Sequence, residues 1–185
     1  MTSPAGATPR VTPGARRDVG LLTWGFARLA GRVSGTEPPA VFLTLGRHRR
    51  LFRGWLHFAG TMMPGGRLPR RETELVILRV AALTGSEYEA TQHRRLGRRA
   101  GLTADEIDRV AQGPDAAGWS GRDRLLLRVT DELHATRDLS DQTWTDLRGT
   151  LEERTCIELL MLVGHYEMLA TTLHTLRVQP DAPRR

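Results

Sequence analysis

Four candidate helix starts along this 185-residue chain carry a Ser or Thr followed three residues later by an acid and then by apolar residues at helical spacing. The pairs are Ser86/Glu89, Thr103/Glu106, Ser120/Asp123 and Thr150/Glu153. Such a pair closes the first turn of a helix: the hydroxyl accepts from the third backbone N–H, and the acid accepts from the N–H of the capping residue. These signals place helices over residues 87–100, 104–112, 121–136 and 151–174, and Ser140 starts another over 141–149. Upstream, apolar spacing gives helices over 40–48, 50–63 and 69–84, with Leu51, Trp55, Phe58 and Met62 on one face of the second. Residues 18–33 hold enough apolar side chains for a short, loosely docked helix. No alternating strand pattern or Asn-Gly hairpin is present, so the fold class is all-α. The last helix is apolar nearly all round, as in a central helix or one shared between a core and a subunit interface.

Length favours one domain. Residues 1–37 read as a flexible basic leader containing the short helix, 38–178 as the helical domain and 179–185 as a tail. The first 17 residues, rich in Pro, Gly, Ala and Thr without periodicity, carry the expectation of flexibility.

All 27 basic residues are arginine; lysine and asparagine are absent. That excludes a Schiff-base lysine and a P-loop lysine. Charge is unevenly placed. Residues 1–70 hold 11 Arg against Asp18 and Glu37, a balance of +9, whereas 71–185 hold 16 Arg against 19 acids. The motif-bearing part is therefore mildly acidic, and no nucleic-acid partner is expected; the alternative is a nucleic-acid arm in the leader. The single Cys156 cannot form an internal disulfide, which fits a reducing, cytoplasmic location. No apolar run approaches the ~18 residues of a spanning helix, so no membrane partner is expected.

Several polar residues interrupt apolar faces. Glu74 shares a face with Ile77, Leu78 and Ala81; a carboxylate there is either paired with an arginine or held in a pocket. Glu89 and His93 stand one turn apart, with Gly97 one turn beyond and Ser86 at the start of the same face. The spacing lets Glu89 orient His93 for proton transfer, or lets Ser86 and Glu89 cap the helix while His93 fills a core gap. His165 and Tyr166 interrupt the last helix, and His57 follows Trp55. These, with Ser86 and Tyr88, are candidate pocket residues. There is no HExxH and no cysteine-rich ligand set, so no metal and no cofactor are expected.

The residues in order are Leu68–Arg79, then Gly85–His93, then Ala100–Thr103. They are preceded by Leu43, Leu45, Gly46, Arg47, His48, Leu51, Phe52 and Trp55, and followed by Val163-Gly164-His165-Tyr166 and Met168. Together they resemble the carboxymuconolactone decarboxylase / alkylhydroperoxidase D-like family across residues 40–178. The resemblance implies an alkylhydroperoxidase D-like fold of about seven helices, assembled as a homotrimer or homohexamer. It puts Ser86 and Glu89 where the peroxidase branch has two cysteines, His93 at that branch's histidine and Glu74 at its upstream glutamate. Neither Ser86 nor Glu89 can form a sulfenate or disulfide, so thiol peroxidase chemistry is not expected. What the resemblance implies instead is a thiol-free lyase acting on a small carboxylated lactone or related carbonyl compound. His93, Glu89 and Glu74 would be catalytic: His93 the proton donor or shuttle, Glu89 its orienting partner and Glu74 a second acid/base group. A peroxidase-type oxidoreductase and an inactive binding protein on the same fold are the alternatives.

Overall fold

The computed structural model describes residues 8–184. Ten α-helices follow in chain order: α1 (Arg16–Val19), α2 (Leu21–Ser34), α3 (Ala40–Leu45), α4 (Arg49–Met62), α5 (Arg70–Thr84), α6 (Glu87–Arg99), α7 (Ala104–Arg109), α8 (Gly121–Thr136), α9 (Asp141–Thr150) and α10 (Glu153–Leu176). A single 3-10 turn, Val110–Gln112, extends α7. Nine of the ten helices answer to those read from the sequence, more than the seven or so the resemblance implies, and the four-residue α1 is additional. No strand occurs among the described residues, only an isolated bridge between Thr36 and Pro183.

Three of the five expected helix starts cap as the sequence indicates. Thr103 and Glu106 form the full reciprocal box, and the Ser120 and Ser140 hydroxyls accept from the N–H groups of Asp123 and Thr143. Two do not. Ser86 occupies the cap of α6 but makes no capping bond, and Glu89, the other half of the expected box, is buried. Thr150 ends α9, its hydroxyl bonded back to the Asp146 carbonyl, and α10 starts after Glu152 instead.

Helix α5 is the axis of the fold. It begins after Pro69, ends at Gly85 in the left-handed conformation, and is buried continuously from Thr73 to Ala81. Helices α6, α8 and α10 pack around it. Val76, Ile77 and Val80 meet Leu126 and Val129 of α8 and Leu159, Leu162 and Val163 of α10 in the main core. On its other flank Leu75 and Leu78 meet Leu102, Ile107, Trp119 and Leu127. Each such side chain contributes about 1.5–3 kcal/mol through removal from water. Arg79 leaves α5 for the loop beyond α7. Its guanidinium grips Asp131 at 2.6 and 2.8 Å and donates to the carbonyls of Val110 and Ala111.

Helix α10 is long and apolar enough to cross a bilayer by length and composition, contrary to the sequence expectation; half of that stretch is buried in the bundle. Its outer face leaves Ile157, Met161 and Met168 exposed. Helix α4 also differs from expectation. Phe52 and Met62 are buried, Trp55 and Phe58 half-buried, and Leu51 lies outside the buried face.

The leader is not free over its described part. Arg10 N–H donates to the Leu176 carbonyl and Gly14 N–H to Leu43, while Val19 and Ala27 are fully buried. Residues 1–7 of the expected flexible stretch lie outside the described residues. The tail is docked too: Glu37 N–H donates to the Ala182 carbonyl, and the Asp181 side chain is buried. Backbone hydrogen bonds hold both segments, which is why apolar periodicity does not mark them.

Candidate active site

Gly97 sets the site's geometry. A Cβ on it would meet Leu102 Cδ1 at 3.0 Å and Leu78 Cδ1 at 3.4 Å, so its hydrogen lets α6 lie close on α5. At that separation His93 of α6 reaches Glu74 of α5, with Nδ1 2.7 Å from Oε2. A carboxylate only accepts, so Nδ1 donates this hydrogen bond and Nε2 is the ring nitrogen left for other partners. Glu74 is fully buried, and its other oxygen lies 2.6 Å from Arg70 Nη2, an ion pair one turn along α5. The partner expected for His93 was Glu89. The structure gives it Glu74 instead, because the α5–α6 contact brings a carboxylate from 19 residues away into line.

Glu89 is left alone. It is buried, and neither carboxyl oxygen has a hydrogen-bond partner. Burial pushes its carboxyl up to about 8, which the nearby Ser86 hydroxyl opposes without reaching bonding geometry on either oxygen. At neutral pH Glu89 therefore carries a proton, and its O–H is a donor. Two carboxyls one helix apart thus differ in setting: Glu74 lies beside a cation and an imidazole, and Glu89 is desolvated and without a partner.

Helix α10 closes the site. The Tyr166 ring stands edge-on to His93, with centroids 5.1 Å apart, and edge-on to His165 at 5.2 Å. Burial raises the Tyr166 phenol well above its ordinary value, assisted by Glu74 and Glu89 and opposed by Arg70. Its O–H points to Met63 Sδ at 3.8 Å. His165 stacks on Trp55 at 5.9 Å and meets Phe58 at 5.4 Å. Burial pulls its imidazole down to about 4, so it is neutral, and its Nδ1 has no partner. Outside Trp55 and Phe58 runs a groove of about 600 Å³, bordered also by His48, Arg50, Leu51, Gly54 and Met168.

The expected site residues therefore divide. Glu74, Glu89, His93, His165 and Tyr166 gather around one cluster, with Ser86 beside Glu89. Tyr88 does not join them: its O–H donates to Asp181 at 2.9 Å and its oxygen accepts from Val41 N–H, so it anchors the tail. His57 is exposed, because α4 turns the neighbouring Trp55 and Phe58 inward. Cys156 is fully buried in the core, its Sγ 3.6 Å from the Leu151 carbonyl, among α8–α10 side chains rather than beside His93. Arg70 was not singled out by the sequence. Its signal was the i, i+4 spacing to Glu74, which 27 arginines obscure. Among the described residues no group of three or more His, Cys, Asp or Glu side chains is placed to hold a metal ion.

No curated protein matches the chain. Solved structures do. An alkylhydroperoxidase AhpD core protein of Ralstonia eutropha, described as peroxidase-related, superposes with a TM-score of 0.80 at 18% identity, covering 94% of each chain. A peroxidase-related protein of a Silicibacter species gives 0.80 at 13% identity over 95% of each. The debrominase Bmp8, in complex with 2,3,4-tribromopyrrole, gives 0.75 at 14% identity over 91% of this chain and 90% of that one. At these identities the likeness establishes the fold. The carboxymuconolactone decarboxylase family matches residues 49–132, a span that runs from α4 into α8 and contains Arg70, Glu74, Glu89 and His93. Over that span the chain matches the carboxymuconolactone decarboxylase family, and its fold is the helical fold of the alkylhydroperoxidase D-like proteins.

Proposed function

We propose that this protein is a small-molecule lyase that moves protons on a carboxylated lactone or related carbonyl compound, in the manner of a carboxymuconolactone decarboxylase and without redox thiols. The observation that carries the reading is the pair of opposed carboxyls, Glu74 bound to His93 and Glu89 neutral and unpartnered. Arg70 holds one guanidinium nitrogen 2.6 Å from Glu74 and is itself half-exposed, which leaves N–H groups for a substrate carboxylate. As the bond to that carboxylate breaks, carbon dioxide leaves and its electron pair passes into the carbonyl system as an enolate. Glu89 donates the one proton required to the enolate oxygen, and His93 Nε2 takes that proton from the resulting enol and hands it to carbon, leaving Glu89 as a carboxylate. Glu74 keeps the imidazole in one tautomer. Solvent then reprotonates Glu89, so no oxidant or reductant is needed.

The test is turnover of a panel of carboxylated lactones by wild type, His93→Ala and Glu89→Gln. The reading expects both variants to lose at least 100-fold in kcat. Equal rates in all three would remove His93 and Glu89 from the reaction.

A second reading rests on the Arg70–Glu74 ion pair: a binding protein whose carboxylate is permanently locked. It expects panel compounds to bind, with no turnover by wild type. Assembly as a homotrimer or homohexamer belongs to the same proposal, with the exposed Ile157, Met161 and Met168 of α10 as the surface buried between copies.

A further inference from the structure

The outward face of α2 is apolar, and at its edge the Phe26 ring packs on Phe42, with centroids 5.1 Å apart. Leu22 is 86% exposed, Val33 70%, Leu21 64% and Leu29 59%. Residues 22, 26, 29 and 33 fall on one stripe, about 17 Å long at 1.5 Å per residue. The opposite face is fixed to the body through the buried Ala27 and Gly31; a Cβ on Gly31 would meet the Thr36 and Glu37 carbonyls at 2.9 Å. The stripe therefore stands out as a ridge on a held helix.

Cations frame the ridge. Arg28 and Arg32 are exposed along its side, and Arg16 and Arg17 precede it. Arg49 is tied to the Arg17 and Asp18 carbonyls at its start, and Arg99 to the Val33 carbonyl at its end. Helix α2 itself contains no acid. Apolar side chains bordered by arginines on a surface helix suit the boundary between anionic headgroups and acyl chains. A folded protein partner would have to offer a groove for this ridge, whereas fluid lipid conforms to it. Two copies meeting at this face would bring a second set of arginines to a ridge that offers no acid on α2 to pair with them. The length criterion behind the expectation of no membrane partner concerns spanning helices and does not bear on one that lies flat.

We propose that α2 docks this protein onto an anionic lipid surface, with Leu22, Leu29 and Val33 inserted and Arg28 and Arg32 against the headgroups. The proposal is independent of the reaction assigned to the site. Its test is co-sedimentation of the full chain with vesicles of phosphatidylcholine alone and of phosphatidylcholine containing one third phosphatidylglycerol.

The expected result is retention on the anionic vesicles that weakens as salt rises, with little on the neutral ones. Arg28→Gln and Arg32→Gln should each weaken binding about five-fold. Leu22→Ser with Leu29→Ser should weaken it at least ten-fold. Both side chains of that pair are exposed, so the far-ultraviolet circular dichroism should match wild type. Failure to bind anionic vesicles overturns the proposal. So does equal, salt-independent binding to neutral ones. So does light scattering in which the double serine variant breaks an oligomer present in wild type, which would assign the ridge to a second copy.

Discussion

Replacing Glu89 by Gln isolates the consequence of burying an unpartnered carboxyl. In the folded protein burial holds its proton to about pH 8, against an ordinary glutamate value of 4.5. A carboxyl raised in this way contributes stability that is fully present below its unfolded value and lost as pH rises through the folded value. The unfolded chain releases the proton from pH 4.5 upward while the folded chain still holds it. Stability therefore falls by about 1.4 kcal/mol per pH unit across that window. Gln has the same shape and no proton to lose, so Glu89→Gln escapes the decline. Urea titrations of both proteins at about pH 5 and about pH 8.5 read the effect. The stability difference between variant and wild type should shift by about 4 kcal/mol in favour of Gln between the two conditions. That corresponds to about 2 M in urea midpoint for a slope near 2 kcal/mol/M. His165 titrates alike in both proteins and cancels in the comparison. A difference that does not change with pH would refute the reasoning: Glu89 would then be ionised or solvated in the folded state, and no neutral acid would face the site.

Burial depresses His165, so its contribution has the opposite sign: it is present above the ordinary value of 6.5 and lost as pH falls towards 4. His165→Phe should therefore flatten the acid limb of a stability–pH profile, gaining about 1–3 kcal/mol at about pH 4 relative to neutral pH. Asp181→Ala removes the acceptor of Tyr88 O–H, Ala40 N–H and the Gln92 amide. It should cost about 2–3 kcal/mol, read as a fall of roughly 6 °C in Tm by calorimetry. Arg79→Met leaves Asp131 half-buried without its bidentate partner and frees the Val110 and Ala111 carbonyls. A loss of about 3 kcal/mol in urea unfolding is expected, and an unchanged midpoint would show that the network contributes nothing net.

What the sequence disclosed was local. Helix α8 begins and ends where Ser120 and the apolar spacing place it, because capping and periodicity act within a few residues. Glu74 stood out because a carboxylate within an apolar arc demands an explanation at once. The pairing of His93 did not disclose itself. Spacing offered Glu89 one turn away, but the contact belongs to Glu74, chosen by how closely Gly97 lets two helices approach. Tyr88 is similar: its partner Asp181 lies 93 residues along the chain. The leader misled because backbone bonds such as Gly14 N–H to the Leu43 carbonyl leave no mark on side-chain composition.

The uninterrupted burial of α5 has a dynamic meaning. Its amides from Thr73 to Ala81 are enclosed by α6, α8 and α10, so their protons exchange with solvent only when the whole bundle opens. Segments held by a few surface bonds, the leader and the tail among them, open far more often. Glu74 is thus mounted on the slowest-exchanging part of the molecule, and fraying at either chain end leaves the carboxylate that orients His93 where it was.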